Sequence, residues 1–346
     1  MDREFVKKYW FLAALILLIP VGIFAPGAGL AVKEASWVIP VFVGVMLGIA
    51  GFTMDTSSLG KQATNLRAVL PVLASIYAFA PAVAYGLAKL FTPDDDGEFI
   101  AAMMIMAAQA GSLASAIALT MLAGGNRELA LICTLLSNSL TVVLTPLILQ
   151  WSIGAEVNFP IAKMILRMGY MILLPIAAGQ LLRKWLWEKT EAIQPAIRLV
   201  PQFIILLFVY TGFAAGAEQL QKETGIVIRF LTACIILHLA VLAFNWLLSA
   251  VLRFGWPERT AMILCGSQKT LPNGIYIWDT FFVKSAANPA PIIHVPFGAV
   301  PLVLYHLFQL VVDTLLVNYF EKKNPTQPSS TAEAPAGCHG GGQGKG

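Results

Sequence analysis

The sequence predicts an all-α, polytopic membrane protein. Three observations carry this. The 346 residues are 58% hydrophobic and only 12% charged, with a mean hydropathy of +0.74, whereas soluble domains carry about 25% charged residues. The apolar residues fall into ten runs, most near the roughly 20 residues a helix needs to cross a bilayer. Lys and Arg alternate sides in the way the positive-inside rule demands.

The runs lie near 9–29, 36–53, 66–90, 99–122, 128–150, 160–182, 199–217, 226–252, 260–283 and 292–320, called spans 1 to 10 below. The first has a basic start (Arg3, Lys7, Lys8) like a signal peptide. It is expected to be retained as a helix, because the internal repeat described next needs it. With the N-terminus inside, 15 basic residues fall on the inner side and 7 on the outer, and Lys269, within a span, completes the 23. The bias suits an even number of crossings with both termini cytoplasmic, in the cell membrane. The acidic loop Asp94-Asp95-Asp96-Gly97-Glu98 falls outside. The net charge of +4 is spread over loops, so no nucleic-acid partner is expected. Cys133, Cys234, Cys265 and Cys338 show no paired spacing that would suggest zinc or a disulfide framework.

An offset of 155 residues aligns Pro20 with Pro175, Pro40 with Pro195, Pro146-Leu147-Ile148-Leu149 with Pro301-Leu302-Val303-Leu304, and Gly111-Ser112 with Gly266-Ser267. This pairs span 1 with 6, 4 with 9 and 5 with 10. Five spans per repeat invert the second relative to the first, an architecture many secondary transporters use. The expected units are a first repeat over 1–155, an inverted second over 156–323 and a disordered tail over 324–346. The tail's Gly340-Gly341-Gly342-Gln343-Gly344-Lys345 imitates half of a phosphate loop but lacks the following Ser/Thr and flanking elements.

Span 9 contains Cys265-Gly266-Ser267-Gln268-Lys269-Thr270-Leu271-Pro272-Asn273-Gly274. An ammonium at a helix centre costs on the order of 2.5–3.5 kcal/mol on insertion scales, and a proline breaks or kinks the helix. Broken backbone at membrane depth is tolerated where protein buries it or a wet cavity meets it. The plainer alternative is a loop between short helices with Lys269 snorkelling outward. Span 4 carries Gln109-Ala110-Gly111-Ser112-Leu113-Ala114-Ser115-Ala116 and then Ala123-Gly124-Gly125-Asn126. Paired interrupted segments point to a transporter's binding site. Close packing through small residues explains Gly111 and Ser115 as well as a site does, whereas Gln109 and Ser112 favour a site. The candidate substrate- or ion-binding residues are Gln109, Gly111, Ser112, Ser115, Asn138, Ser267, Gln268, Lys269, Thr270 and Asn273. Asp279, His306 and Asp313 are candidates for a proton or charge relay. His306, Gln309 and Asp313 share a helical face, for which an interhelical hydrogen-bond network is the plainer reading. His238, alone in span 8, reads as structural.

These motifs resemble the bile acid:sodium symporter family, solute carrier family 10, and most closely its member 7-like branch. Cys265 to Leu271, Ala118-Leu119-Thr120 to Asn126 and Leu144-Thr145-Pro146 carry the resemblance, which spans residues 9–320. It implies a panel domain and a core domain, with spans 4 and 9 unwound and crossing. It also implies symport of an organic anion with sodium. The family's ion ligands are implied at positions that here hold Cys265 for a glutamate, Lys269 and Ile76 for glutamines, Ala130 for a serine and Thr134 for a threonine. A further polar pair falls near Ser115 and Ala116. Only Thr134 and Ser115 keep an oxygen on the side chain, so these two are the metal candidates if a sodium site remains.

Lys269 then stands where an ion ligand would. It could replace the cation, making anion transport sodium-independent, or release a proton during the cycle, since desolvation disfavours a charged ammonium. Asp279 and Asp313 are its candidate counter-charges. No organic cofactor is expected; the candidate coupling ions are Na+ and H+, with uncoupled transport as the alternative. The expected partners are a small organic anion and the lipid bilayer, with the chain a monomer or homodimer. The leading function is a secondary transporter; a non-transporting membrane regulator on the same fold is the alternative. An intramembrane enzyme would need a Ser/His pair, facing aspartates or a metal motif, and the sequence has no recognisable one.

Overall fold

The computed structural model describes residues 3–56, 65–92, 97–154, 159–197, 199–222, 224–284, 288 and 290–323. The acidic run at 94–96, Lys61, Arg198, Cys338 and the tail lie outside the described residues. Those described form helices joined by short connections, with no strand among them.

Each predicted span is met by a helix or a helix pair. Span 1 is Arg3–Phe24, followed across an 88° bend by Gly27–Glu34; Pro26 sits at the corner. Span 2 is Val38–Thr53, span 3 Leu66–Phe91, span 5 Arg127–Ile153, span 6 Ile161–Leu186, span 7 Val200–Ala215, span 8 Gly225–Val251 and span 10 Ala299–Lys323. Span 4 is split into Gly97–Ala107 (4a) and Ser115–Leu122 (4b). Span 9 is split into Trp256–Ser267 (9a) and Leu271–Ile277 (9b), which a π turn extends through Phe282. Among the described residues six helices are long and apolar enough to cross a membrane unaided, or seven with the bent pair of span 1. Span 10 starts later than the sequence suggests, because Pro291 and Pro296 punctuate the approach to it.

Spans 1, 2, 6 and 7 pack on one another. Spans 2 and 6 meet backbone to backbone: a Cβ on Gly51 would stand 2.3 Å from the Ile176 carbonyl, and one on Gly179 2.1 Å from that of Gly48. Spans 3, 4, 5, 8, 9 and 10 form a second group around the two breaks. Between 4b and span 5 the chain makes a helix cap at each end. Gly124 has φ 66° and Gly125 N–H bonds the Thr120 carbonyl, a Schellman ending that an L side chain at Gly124 would strain. Asn126 then caps span 5, its side chain accepting from Leu129 N–H at 2.9 Å. The Gly-Gly-Asn motif thus forms the connection between 4b and span 5.

Candidate functional site

The two breaks touch. Thr270 N–H donates to the Ala110 carbonyl at 2.9 Å, and Ser115 Oγ lies 2.6 Å from Gln268 Oε1. A Cβ on Gly111 would sit 3.2 Å from the Cys265 carbonyl, so the glycine allows the crossing.

In span 9 the break is local in origin. In a continuous helix the Pro272 ring would collide with the Gln268 carbonyl, and Gln268 and Thr270 are extended instead, with ψ 147° and 130°. The exposed peptide of Lys269 is taken by Gln309 of span 10. Its Oε1 accepts the Lys269 N–H at 2.8 Å and its Nε2 donates to the Lys269 carbonyl at 3.0 Å. The Ser267 carbonyl receives the Tyr305 hydroxyl at 2.7 Å. Gly266 admits Asn245 of span 8, which a Cβ there would meet at 2.6 Å.

In span 4 four successive carbonyls lose their helical partners, and each has a donor from elsewhere. Thr145 Oγ1 reaches Ala108 at 2.6 Å, Lys269 Nζ reaches Gln109 at 3.1 Å, Thr270 N–H reaches Ala110 at 2.9 Å and Asn138 Nδ2 reaches Gly111 at 2.9 Å. Buried backbone groups are nearly always satisfied in this way.

Lys269 is 2% exposed. Besides Gln109, its ammonium donates to the Ile76 carbonyl at 2.7 Å. That carbonyl is free for a covalent reason. Ile76 lies in a π turn, Ser75–Phe79, in which Ala80 N–H bonds the Ser75 carbonyl. The next N–H that could serve Ile76 would belong to residue 81, a proline. The ammonium thus bridges two carbonyls, one freed by a π turn and a proline, the other by the break in span 4. Among the described residues no carboxylate lies within 4.0 Å of it.

The structure brings the other predicted residues to several places. Asn138, Gln268, Thr270 and Ser115 join the crossing as described; Asn273 Nδ2 donates to Asn138 Oδ1 at 3.2 Å and Ser115 Oγ contacts Ser112 Oγ at 2.6 Å. Ser267 contributes its carbonyl; its own hydroxyl turns back to Leu264. Gln109 is buried with Nε2 on the Ile105 carbonyl, while its Oε1 and the Asn273 Oδ1 have no protein partner. Thr134 Oγ1 bonds the Ala130 and Leu131 carbonyls of its own helix. His306 Nδ1 lies 2.9 Å from Gln309 Nε2 on its own helix, while Gln309 and Asp313 carry the hydrogen bonds from this face to spans 8 and 9.

Two expectations need correcting. Neither Asp279 nor Asp313 pairs with Lys269. Asp279 lies on the π turn after 9b. Asp313 accepts Gln268 Nε2 at 2.8 Å and faces His238 Nε2 at 3.2 Å, so His238 is not isolated. Tyr305, not singled out from the sequence, bridges His238 and the break. The signal available was the i, i+4, i+8 spacing of Tyr305, Gln309 and Asp313, which places them on one helical face.

Among the described residues no cluster of three His, Cys, Asp or Glu side chains is placed to hold a metal. A groove of about 330 Å³ lies between spans 3 and 5, lined by Tyr77, Pro81, Leu147 and Trp151 among others. Its lining is apolar and it is not at the crossing.

An all-α chain of membrane-spanning helices, two of them broken and crossing in the interior, has the architecture of a secondary transporter. Comparison with known proteins narrows the class. The chain belongs to the SBF-like CPA transporter family, whose model matches residues 9–322. It is 29% identical to an uncharacterized protein of Pseudomonas aeruginosa, over 94% of this chain and 97% of that one. It is 23% identical to the mouse sodium/bile acid cotransporter 7, over 91% and 93% of the two chains. A probable chloroplastic sodium/metabolite cotransporter of Oryza sativa is 26% identical, over 92% of this chain and 77% of its own. The mouse and Oryza sativa relatives are named as transporters, not enzymes.

Proposed function

We propose that the chain moves a small organic anion by alternating access, with Lys269 in the place of a coupling cation. The observation that carries this is the ammonium held between the Ile76 and Gln109 carbonyls. Backbone carbonyls at a helix break are the groups transporters use to hold a coupling cation. The positions where the resemblance implies ion ligands support the same reading. Cys265, Ile76, Ala130 and Ala116 carry no side-chain oxygen themselves and belong to one buried apolar cluster with Cys133 and Met262. A positive charge with no adjacent carboxylate favours an anionic substrate. In this reading residues 1–155 and 156–323 are inverted repeats, supported by the breaks falling in spans 4 and 9. Spans 1, 2, 6 and 7 form the panel, the other six the core, and both termini are cytoplasmic.

The test is a thermal-stability screen of the purified full chain against organic anions, with sodium or choline as the cation, followed by uptake in proteoliposomes. At least one anion is expected to stabilise and be taken up equally in both salts. A sodium-dependent rise in affinity overturns the cation replacement. A folded sample silent to the whole panel in both assays overturns transport and favours a non-transporting regulator.

A further inference from the structure

Apart from the ammonium, the crossing is connected to a second buried pair of titratable groups. His238 of span 8 and Asp313 of span 10 are both fully buried. His238 Nε2 is 3.2 Å from Asp313 Oδ1, and Nδ1 is 3.2 Å from the Tyr305 hydroxyl. That hydroxyl is 2.7 Å from the Ser267 carbonyl. The other carboxylate oxygen receives Gln268 Nε2 at 2.8 Å, and Gln268 Oε1 is 2.6 Å from Ser115 Oγ. A continuous chain of polar contacts therefore runs from span 8 through span 10 to both breaks.

If both 3.2 Å contacts of His238 are hydrogen bonds, donor counting gives the number of protons this arrangement holds. A carbonyl only accepts, so the Tyr305 hydrogen points at Ser267. The Tyr305 oxygen must then accept from His238, which places a hydrogen on Nδ1. Neutral imidazole carries one N–H. Nε2 therefore either bears a second hydrogen, giving an imidazolium beside a carboxylate, or accepts from a protonated Asp313. Both descriptions contain one proton more than a neutral imidazole beside a carboxylate, and that proton belongs to the pair. Without it, one link must be lost. The smallest rearrangement turns the Tyr305 hydroxyl to Nδ1, moves the remaining imidazole hydrogen to Nε2 and uncaps the Ser267 carbonyl at the end of 9a.

We propose that the His238–Asp313 pair binds the coupling proton and that its occupancy sets the state of the break in span 9. The inference rests on the transport reading above and assigns its driving ion. The proton enters from one side, is held between Nε2 and Oδ1, and leaves to the other. Around the pair, span 10 supplies Tyr305, span 9 supplies Gln268 and the Cys265 thiol, and span 8 supplies Cys234 beside Tyr305. Lys269 points instead to Ile76 and Gln109, and His306 to Gln309.

The test needs no substrate. Full-length protein with 15N-labelled histidine is placed in lipid vesicles and read by solid-state NMR between about pH 5 and about pH 9, the range in which imidazole is a useful proton site. His238 is assigned by the signal lost in H238Q. Its two nitrogens are expected to be hydrogen-bonded at low pH, with one N–H lost and a tautomer change at high pH. D313N is expected to abolish or displace this transition, and Y305F, which leaves both titratable groups in place, to move its midpoint. A single N–H on one unchanging nitrogen across the range overturns the proposal, as does a titration identical in wild type and D313N. If H238Q does not fold, the Y305F and D313N spectra assign the signal by its displacement, and an unmoved set of signals in both is likewise an overturning result. Failure here leaves anion binding in the stability screen untouched, so it is distinguishable from failure of the transport reading.

Discussion

The breaks in spans 4 and 9 face each other but are built in opposite ways. The break in span 9 is three residues long, 268–270, and its own Pro272 enforces it. The break in span 4 is seven residues long, 108–114, and contains no proline. Its four free carbonyls are stabilised by donors from spans 5 and 9. One segment is broken by its own covalent structure and the other is held open by its neighbours. Lys269 joins them, because the residue that span 9 presents at its break is a donor that span 4 needs at its own.

The strongest way to break this comparison is to remove that donor. K269A leaves the Gln109 and Ile76 carbonyls unsatisfied, at about 1–3 kcal/mol each, and is expected to reduce anion uptake by at least about tenfold, equivalent to about 1.4 kcal/mol. Wild-type uptake by K269A would mean that the ammonium is not the replacement for a cation.

Next comes the clamp on span 9. Q309L strips two buried bonds from the Lys269 peptide, again at about 1–3 kcal/mol per group. A fall in melting temperature together with lost uptake is expected. Destabilisation without any transport defect would separate the break's shape from its function.

For span 4, T145V and N138L each free one carbonyl of the break, and N138L also strips the acceptor of Asn273 Nδ2; each lost partner is expected to destabilise by about 1–3 kcal/mol. Because they hold one break, the double variant should depart from additivity. Strict additivity of the melting shifts would argue that the break is not a single cooperative unit.

The smallest effect is expected at T134V. The buried Thr134 hydroxyl bonds carbonyls of its own helix, so stability should change by only about 0.5–1.5 kcal/mol, the net worth of one hydrogen bond, and uptake should stay at the wild-type level. A large loss of uptake restored by high sodium would establish an ion site there.

Legibility in the sequence follows the same division. The spans could be placed because bilayer crossing is a property of local composition. Pro272 and Lys269 stood out because a helix breaker and a buried charge are local facts. Gly111-Ser112 marked span 4 only through its partner in span 9, because nothing in its own residues forbids a continuous helix. The Ile76 carbonyl could not be foreseen. Its availability needs Pro81 together with a π turn one register wide. His238 looked solitary because its partners, Asp313 and Tyr305, lie 75 and 67 residues away along the chain. Asp279 looked like a counter-charge because it shares a span with Lys269, yet it lies on the π turn beyond 9b and pairs with no ammonium there among the described residues.

The ammonium between Ile76 and Gln109 also has an electrical consequence. A dissolved cation is delivered with its substrate, whereas one fixed to a side chain returns with the protein. It therefore adds no charge to what each cycle delivers, and a monovalent anion moved beside it crosses as net negative charge. Each such charge is worth about 2.3 kcal/mol per 100 mV of membrane potential, opposing uptake into a negative interior. One accompanying proton would cancel that term. Current recorded across a bilayer during transport thus distinguishes a chain that only tethers its cation from one that also carries a proton.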